Sequence, residues 1–299
     1  MSGKVIAVAN MKGGVGKTTT VVAMAEALGA LGHSVLVIDA DAQANASVCI
    51  AGDMNLEGLI SKDRTIDAFI DDVLLGGRKN ITFANSIFEG ASNVSHRGRP
   101  LGISLLASSS ELRVLERDLI FELTEKNLGL NAIVGSLFRL MQHQLKLSEN
   151  QYDYVLIDCA PGISAVTEAS IRLADLVIIP TIPDFLSTYG LASFCKTMWK
   201  TSPYGGDFRP KALPRVLITR RRPVKDHDYY ARLLENENRA AEPAFKTFET
   251  NFLESTEVAQ ALAVANSEAT VTFTAKWGVK FITRLGSLVA ETKEALNGA

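Results

Sequence analysis

Six short apolar runs recur along the chain: KVIAVA (4–9), SVLVIDA (34–40), ISLLAS (103–108), YDYVLIDCA (152–160), ADLVIIPT (174–181) and RVLITR (215–220). Several are almost continuously apolar instead of alternating, the pattern of strands covered on both faces. Between them, residues 17–31, 110–126, 130–147, 164–173 and 187–200 carry apolar positions at helical spacing. This alternation predicts an α/β fold: a doubly wound, mostly parallel sheet flanked by helices, with its ligand at the carboxyl ends of the strands.

Two stretches break the alternation and read as loops. Residues 76–100 are rich in Gly, Asn and Ser, and residues 201–214 hold three prolines and a glycine pair. Neither has the character of a linker, so one domain over 1–299 is expected. A strand starting at residue 4 leaves no room for an N-terminal helix-turn-helix, and site-specific repression is not expected.

Composition narrows the class. Of 299 residues, 47% are apolar and 21% charged, enough to bury a substantial core and too apolar for global disorder. The net charge of -2 argues against an overall basic protein but leaves room for a local basic face. Cys49, Cys159 and Cys195 lie far apart, without the spacing of a disulfide framework or zinc cluster. The opening MSGKVIAVAN lacks signal-peptide character, and no apolar stretch reaches the length of a membrane span. A cytoplasmic protein is expected.

The chemistry concentrates after the first strand, in ANMKGGVGKTTTV (9–21). A strand, a glycine turn and a helix gather backbone N–H groups at the positive end of a helix dipole, a ready site for phosphate. Gly13, Gly14 and Gly16 permit the backbone angles, with Val15 between them. Lys17 reaches β- and γ-phosphates, the Thr18 hydroxyl suits Mg²⁺, and Thr19 follows in the loop. A second lysine, Lys12, precedes the glycines.

The order K-G-G-V-G-K-T-T resembles the deviant Walker A motif of the ParA/MinD family of P-loop ATPases, which position plasmids, chromosomes, division sites and other cargoes. DADAQAN (39–45) resembles that family's first switch segment, with Ala42 in place of a common proline. YDYVLIDCAPG (152–162) ends a strand in Asp158, as a Walker B acid does, and Gly162 replaces a second proline. LLASSSELRVLERDL (105–119) and VIIPTIPDFLSTYGL (177–191) resemble two further family segments, closest to ParA-type (Soj-like) partition ATPases.

The resemblance implies ATP and Mg²⁺ as cofactors and assigns roles. Lys12 is the signature lysine that crosses to the phosphates of a second subunit, making an ATP-state homodimer. Lys17 and Asp41 complete the catalytic set, Asp41 aligning the attacking water. Thr18 and Asp158 serve the metal, and Thr219 contributes to the adenine pocket. Hydrolysis is slow and stimulated by a ParB-like adaptor.

ParA-type members bind DNA non-specifically, which places them on the nucleoid. Candidate contacts are Arg220, Arg221, Arg222 and Lys225, with Lys276, Lys280 and Arg284 added from near the C-terminus. Residues 247–261 lack the arginines many partition ATPases carry there. The alternatives are a MinD-like membrane ATPase and a metabolic or iron–sulfur P-loop ATPase. Phe281, Ile282, Leu285, Leu288 and Val289 share one face of a C-terminal helix, but Glu291 and Glu294 dilute its basic charge, so docking on the sheet is expected over membrane binding.

Overall fold

A computed structural model describes residues 3–77, 79–125, 129–148, 151–200, 212–263 and 270–298. All six expected strands form: β1 (Lys4–Val8), β2 (Val35–Ala40), β5 (Ile103–Leu106), β6 (Tyr154–Cys159), β7 (Leu176–Thr181) and β8 (Arg215–Arg221). With β9 (Lys246–Leu253) they make a seven-stranded parallel sheet in the order β5-β2-β6-β1-β7-β8-β9.

The continuous apolar runs follow from this arrangement. Val5, Ala7 and Ala9 point into one core layer, while Ile6 and Val8 point into the other. The first layer is closed by helices Ile66–Leu74, Glu111–Glu125, Leu130–Leu147 and Ala165–Leu173, and the second by Lys17–Ala30 and Val279–Asn297. With both faces buried, alternation disappears and almost every strand position is apolar. In the last helix, Phe281, Leu285, Leu288 and Val289 are buried in the second layer and Ile282 packs against it. Its apolar face is thus engaged with the sheet. Among the described residues, no helix is long and apolar enough to cross a membrane.

Three expectations need correction. Residues 76–100 are not one loop. They include a helix at Phe83–Ser86 and strands β3 (Val94–His96) and β4 (Arg99–Pro100), which join β10 (Val271–Thr272) in a small second sheet. The turn between β3 and β4 is Arg97-Gly98, both at positive φ (51° and 75°), as a two-residue type I′ hairpin requires. The expected helix 187–200 is split into Phe185–Thr188 and Leu191–Lys200, separated at Gly190, whose φ is 78°. Strand β9 was not expected at all. Of the expected loop 201–214, residues 201–211 lie outside the described residues.

Candidate functional site

The carboxyl ends of the strands carry the site. The turn after β1 runs into the helix Lys17–Ala30, and Gly16 caps that helix at φ 92°, a left-handed conformation without penalty only for glycine. The helix has no side-chain cap, so its first N–H groups remain available to an anion. Asn10 braces the turn: its amide donates to the Pro180 carbonyl at 2.7 Å, while its carbonyl oxygen accepts from the Lys12 N–H at 3.0 Å. Behind the loop, the Thr219 hydroxyl donates to the Val15 carbonyl at 2.8 Å. The sequence reading assigned Thr219 to the adenine pocket; its observed contact is to the loop itself.

Lys17 is buried and its ammonium donates to the Lys12 carbonyl at 2.9 Å. Burial pulls its pKa below the ordinary lysine value, against the opposing attraction of Asp158 and Asp41. Thr18 Oγ1 donates to Asp158 Oδ2 at 2.7 Å, and Asp158 Oδ1 is buried without a hydrogen-bond partner. Burial, reinforced by the neighbouring charge of Asp39, pushes the Asp158 pKa well up. A buried carboxylate oxygen in that condition is costly unless something else completes it. A hydroxyl beside an incomplete carboxylate is an oxygen donor set that fits Mg²⁺, which keeps several waters of its own.

Asp39 and Asp41 separate in role. Asp39 is fully buried, in register with Asp158 on the adjacent strand, and accepts from the Asp41 N–H (3.1 Å), the Ser47 N–H (2.8 Å) and the Ser47 hydroxyl (2.7 Å). Its oxygens are satisfied internally, and burial raises its pKa to about 6. Asp41 instead lines the open cavity, with one oxygen accepting from the Gln43 N–H at 3.0 Å.

That cavity measures about 760 Å³. One wall is the loop, Gly13, Gly14 and Gly16 to Thr20, with Asp41, Gln43 and Pro161 beside it. The opposite wall is Phe252, Leu253, Val258, Ala259 and Leu262, from the end of β9 and the helix Thr256–Ala263. A polar end rich in N–H donors and an apolar end of this size suit a nucleotide. Sequence reasoning missed the second wall because β9 itself was missed.

Lys12 lies outside the wall of this cavity, partly buried, next to Met11, which is 52% exposed. The expected DNA contacts scatter. Lys225, Lys280 and Arg284 are exposed, whereas Arg220 and Arg222 pair with Glu254 (2.9 and 3.5 Å) and Arg221 pairs with Asp228 (2.9 Å). Lys276 is a correction: it is buried, and its ammonium meets Glu26 at 2.6 Å while the Trp277 indole N–H donates to the same carboxylate at 2.6 Å. A lysine so enclosed cannot reach a phosphate backbone.

Comparison with known proteins decides the lineage. The model of a family described as "AAA domain" matches residues 3–203. The chain belongs to the ParA/MinD-type P-loop ATPase family. Chromosome partitioning protein ParA of Caulobacter vibrioides is 29% identical over 196 residues, covering 65% of this chain and 62% of that protein. The chain spans less than two thirds of the length of the first curated relatives it matches. Among solved structures, pNOB8 ParA bound to nonspecific DNA superposes with a TM-score of 0.70 at 21% identity, over 99% of both chains. An ATP complex of a variant Cyanothece McdA gives 0.67 at 19% identity, over 99% of this chain and 97% of the other. These likenesses establish a ParA-type P-loop fold.

Proposed function

We propose that this chain is an ATP-dependent partition or positioning ATPase, in which ATP joins two copies face to face and hydrolysis separates them. The observation that carries this reading is the convergence of the glycine loop, Thr18 and Asp41 on one cavity with an apolar far end, with Asp158 buried behind Thr18 and bonded to it. The ATP complex of the Cyanothece relative supports the nucleotide.

The residues divide the work as phosphoryl transfer to water demands, by positioning and charge stabilisation. The triphosphate enters at the helix start, and Lys17 exchanges its bond with the Lys12 carbonyl for phosphate oxygens. Thr18 and Asp158 would hold Mg²⁺, which when bound would neutralise charge on the phosphates. Asp41, facing the same end of the cavity, accepts a hydrogen bond from the attacking water and aligns it. Asp39 does not touch the nucleotide; through the Asp41 N–H and Ser47 it fixes the backbone that carries Asp41.

Lys12 supports the dimer. It stands outside its own cavity on an exposed turn, beside Met11, where a second copy can receive it. A site completed by a partner makes nucleotide both substrate and dimer glue, a slow timer whose turnover a ParB-like adaptor accelerates. The cargo, whether plasmid, chromosome or protein assembly, is then spaced by cycles of binding and release.

Non-specific DNA on the nucleoid is the surface this timer works on. Lys225, Lys280 and Arg284 are the exposed cations in support, and the DNA-bound relative favours the same role. Membrane attachment through the last helix is disfavoured because Phe281, Leu285, Leu288 and Val289 on its apolar face are buried. The test is co-sedimentation with non-specific duplex DNA in ATP, ADP or no nucleotide, at two salt concentrations. Binding that requires ATP and weakens with salt is expected; absent or ATP-independent binding at low salt would overturn the DNA role.

A further inference from the structure

Arg220, the penultimate residue of β8, holds a left-handed conformation, φ 50°, that an arginine adopts only at a cost. Its guanidinium donates to the Gly14 carbonyl at 3.2 Å and to Glu254 at 2.9 Å. Gly14 belongs to the phosphate loop, at φ 73°, whereas Glu254 belongs to the opposite wall, just beyond β9. Glu254 is tied back to the same turn, its own N–H donating to the Arg221 carbonyl at 3.0 Å. Arg220 and Glu254 both line the cavity and are 52% and 40% exposed. An ion pair that exposed contributes little to folding stability. Backbone strain supporting a weak pair needs another purpose, and the pair's placement supplies one.

We propose that Arg220 is a positioning residue for the phosphate loop, clasped by Glu254 so that the base-side wall and the phosphate-side loop are held at one spacing. The reading rests on the nucleotide site proposed above. By engaging the Gly14 carbonyl, Arg220 fixes the peptide orientation of the loop and leaves its N–H groups directed at the anion. Glu254 aims the guanidinium and carries the far wall with it. This role withdraws Arg220 from the candidate DNA contacts.

The experiment measures binding of a fluorescent ATP analogue and of magnesium tripolyphosphate, which lacks a base and ribose, to wild type, Arg220→Gly, Arg220→Lys and Glu254→Gln, with thermal unfolding of each. Arg220→Gly relieves the strained φ, so its melting temperature is expected to equal or exceed that of wild type. Its affinity for both probes is expected to fall about tenfold, the worth of one charge-assisted hydrogen bond. Arg220→Lys, able to make one bond but not the fork, should fall between them. Glu254→Gln should weaken ATP more than tripolyphosphate, because it loosens the base-side wall. Arg220→Gly that binds both probes as wild type does would overturn the clasp. So would an Arg220→Gly protein that melts well below wild type, since Arg220 would then be structural. If wild type itself binds neither probe, the nucleotide reading fails first.

Discussion

Thr18 Oγ1 donates to Asp158 Oδ2 at 2.7 Å, and the second oxygen of that buried carboxylate is left without a partner. One residue comes from the start of a helix and the other from the end of a strand 140 positions later. The pair is an incomplete coordination set facing the phosphate loop. Asp158→Asn should therefore remove most of the magnesium-dependent gain in ATP affinity, about 10–100-fold, while the fold is retained because a buried charge has been removed. Calorimetric titration of ATP with and without magnesium checks this. An unchanged magnesium effect would separate Asp158 from the metal.

The neighbouring Asp39 gives a pH signature. Burial raises its folded pKa to about 6, above the ordinary aspartate value of 3.8. The folded state then holds the proton more tightly than the unfolded state does. Stability relative to an uncharged side chain is full below pH 3.8 and is lost as pH rises through about 6. The loss is on the order of 3 kcal/mol. Urea unfolding of wild type and Asp39→Asn, without magnesium, should show wild type losing ground to the variant between about pH 4 and pH 6. A gap that does not change over that range would contradict the assignment.

Glu26 and Lys276 form a pair with almost no solvent access, joined by the Trp277 indole. Breaking it from one side leaves an uncompensated charge, so Lys276→Met should cost about 3–5 kcal/mol. Glu26→Leu combined with Lys276→Met should recover most of that loss. Chemical denaturation measures both. A Lys276→Met protein as stable as wild type, with reduced DNA binding, would restore Lys276 to the surface.

These residues also show what was legible beforehand. Strands buried on both faces leave unbroken apolar runs, which is why β1, β2, β5, β6, β7 and β8 could be read directly. The edge strand β9, KTFETNFL, has three polar residues between the buried Phe248 and Phe252, so it gives neither an apolar run nor a period of two. The strand, glycine turn and helix around Gly13–Thr18 are local chemistry and could be read directly, as could the place of Asp158 near the end of its strand. Lys276 misled because its partner Glu26 lies 250 positions away. A lysine's environment, unlike a loop's glycine spacing, is not written beside it. Arg220 and Arg222 read as part of a basic run for the same reason, since their acid Glu254 is brought in by the fold, whereas the acid of Arg221, Asp228, lies only seven residues on.

The central claim is that Lys12 serves the nucleotide of a second copy. Sedimentation velocity of wild type and Lys12→Ala in ATP, in ADP and without nucleotide tests it most directly, with ATP binding measured in parallel. Wild type should dimerise in ATP alone, and Lys12→Ala should bind ATP yet remain monomeric. Dimers formed by Lys12→Ala as readily as by wild type, or no ATP-dependent dimer of wild type at all, would contradict it.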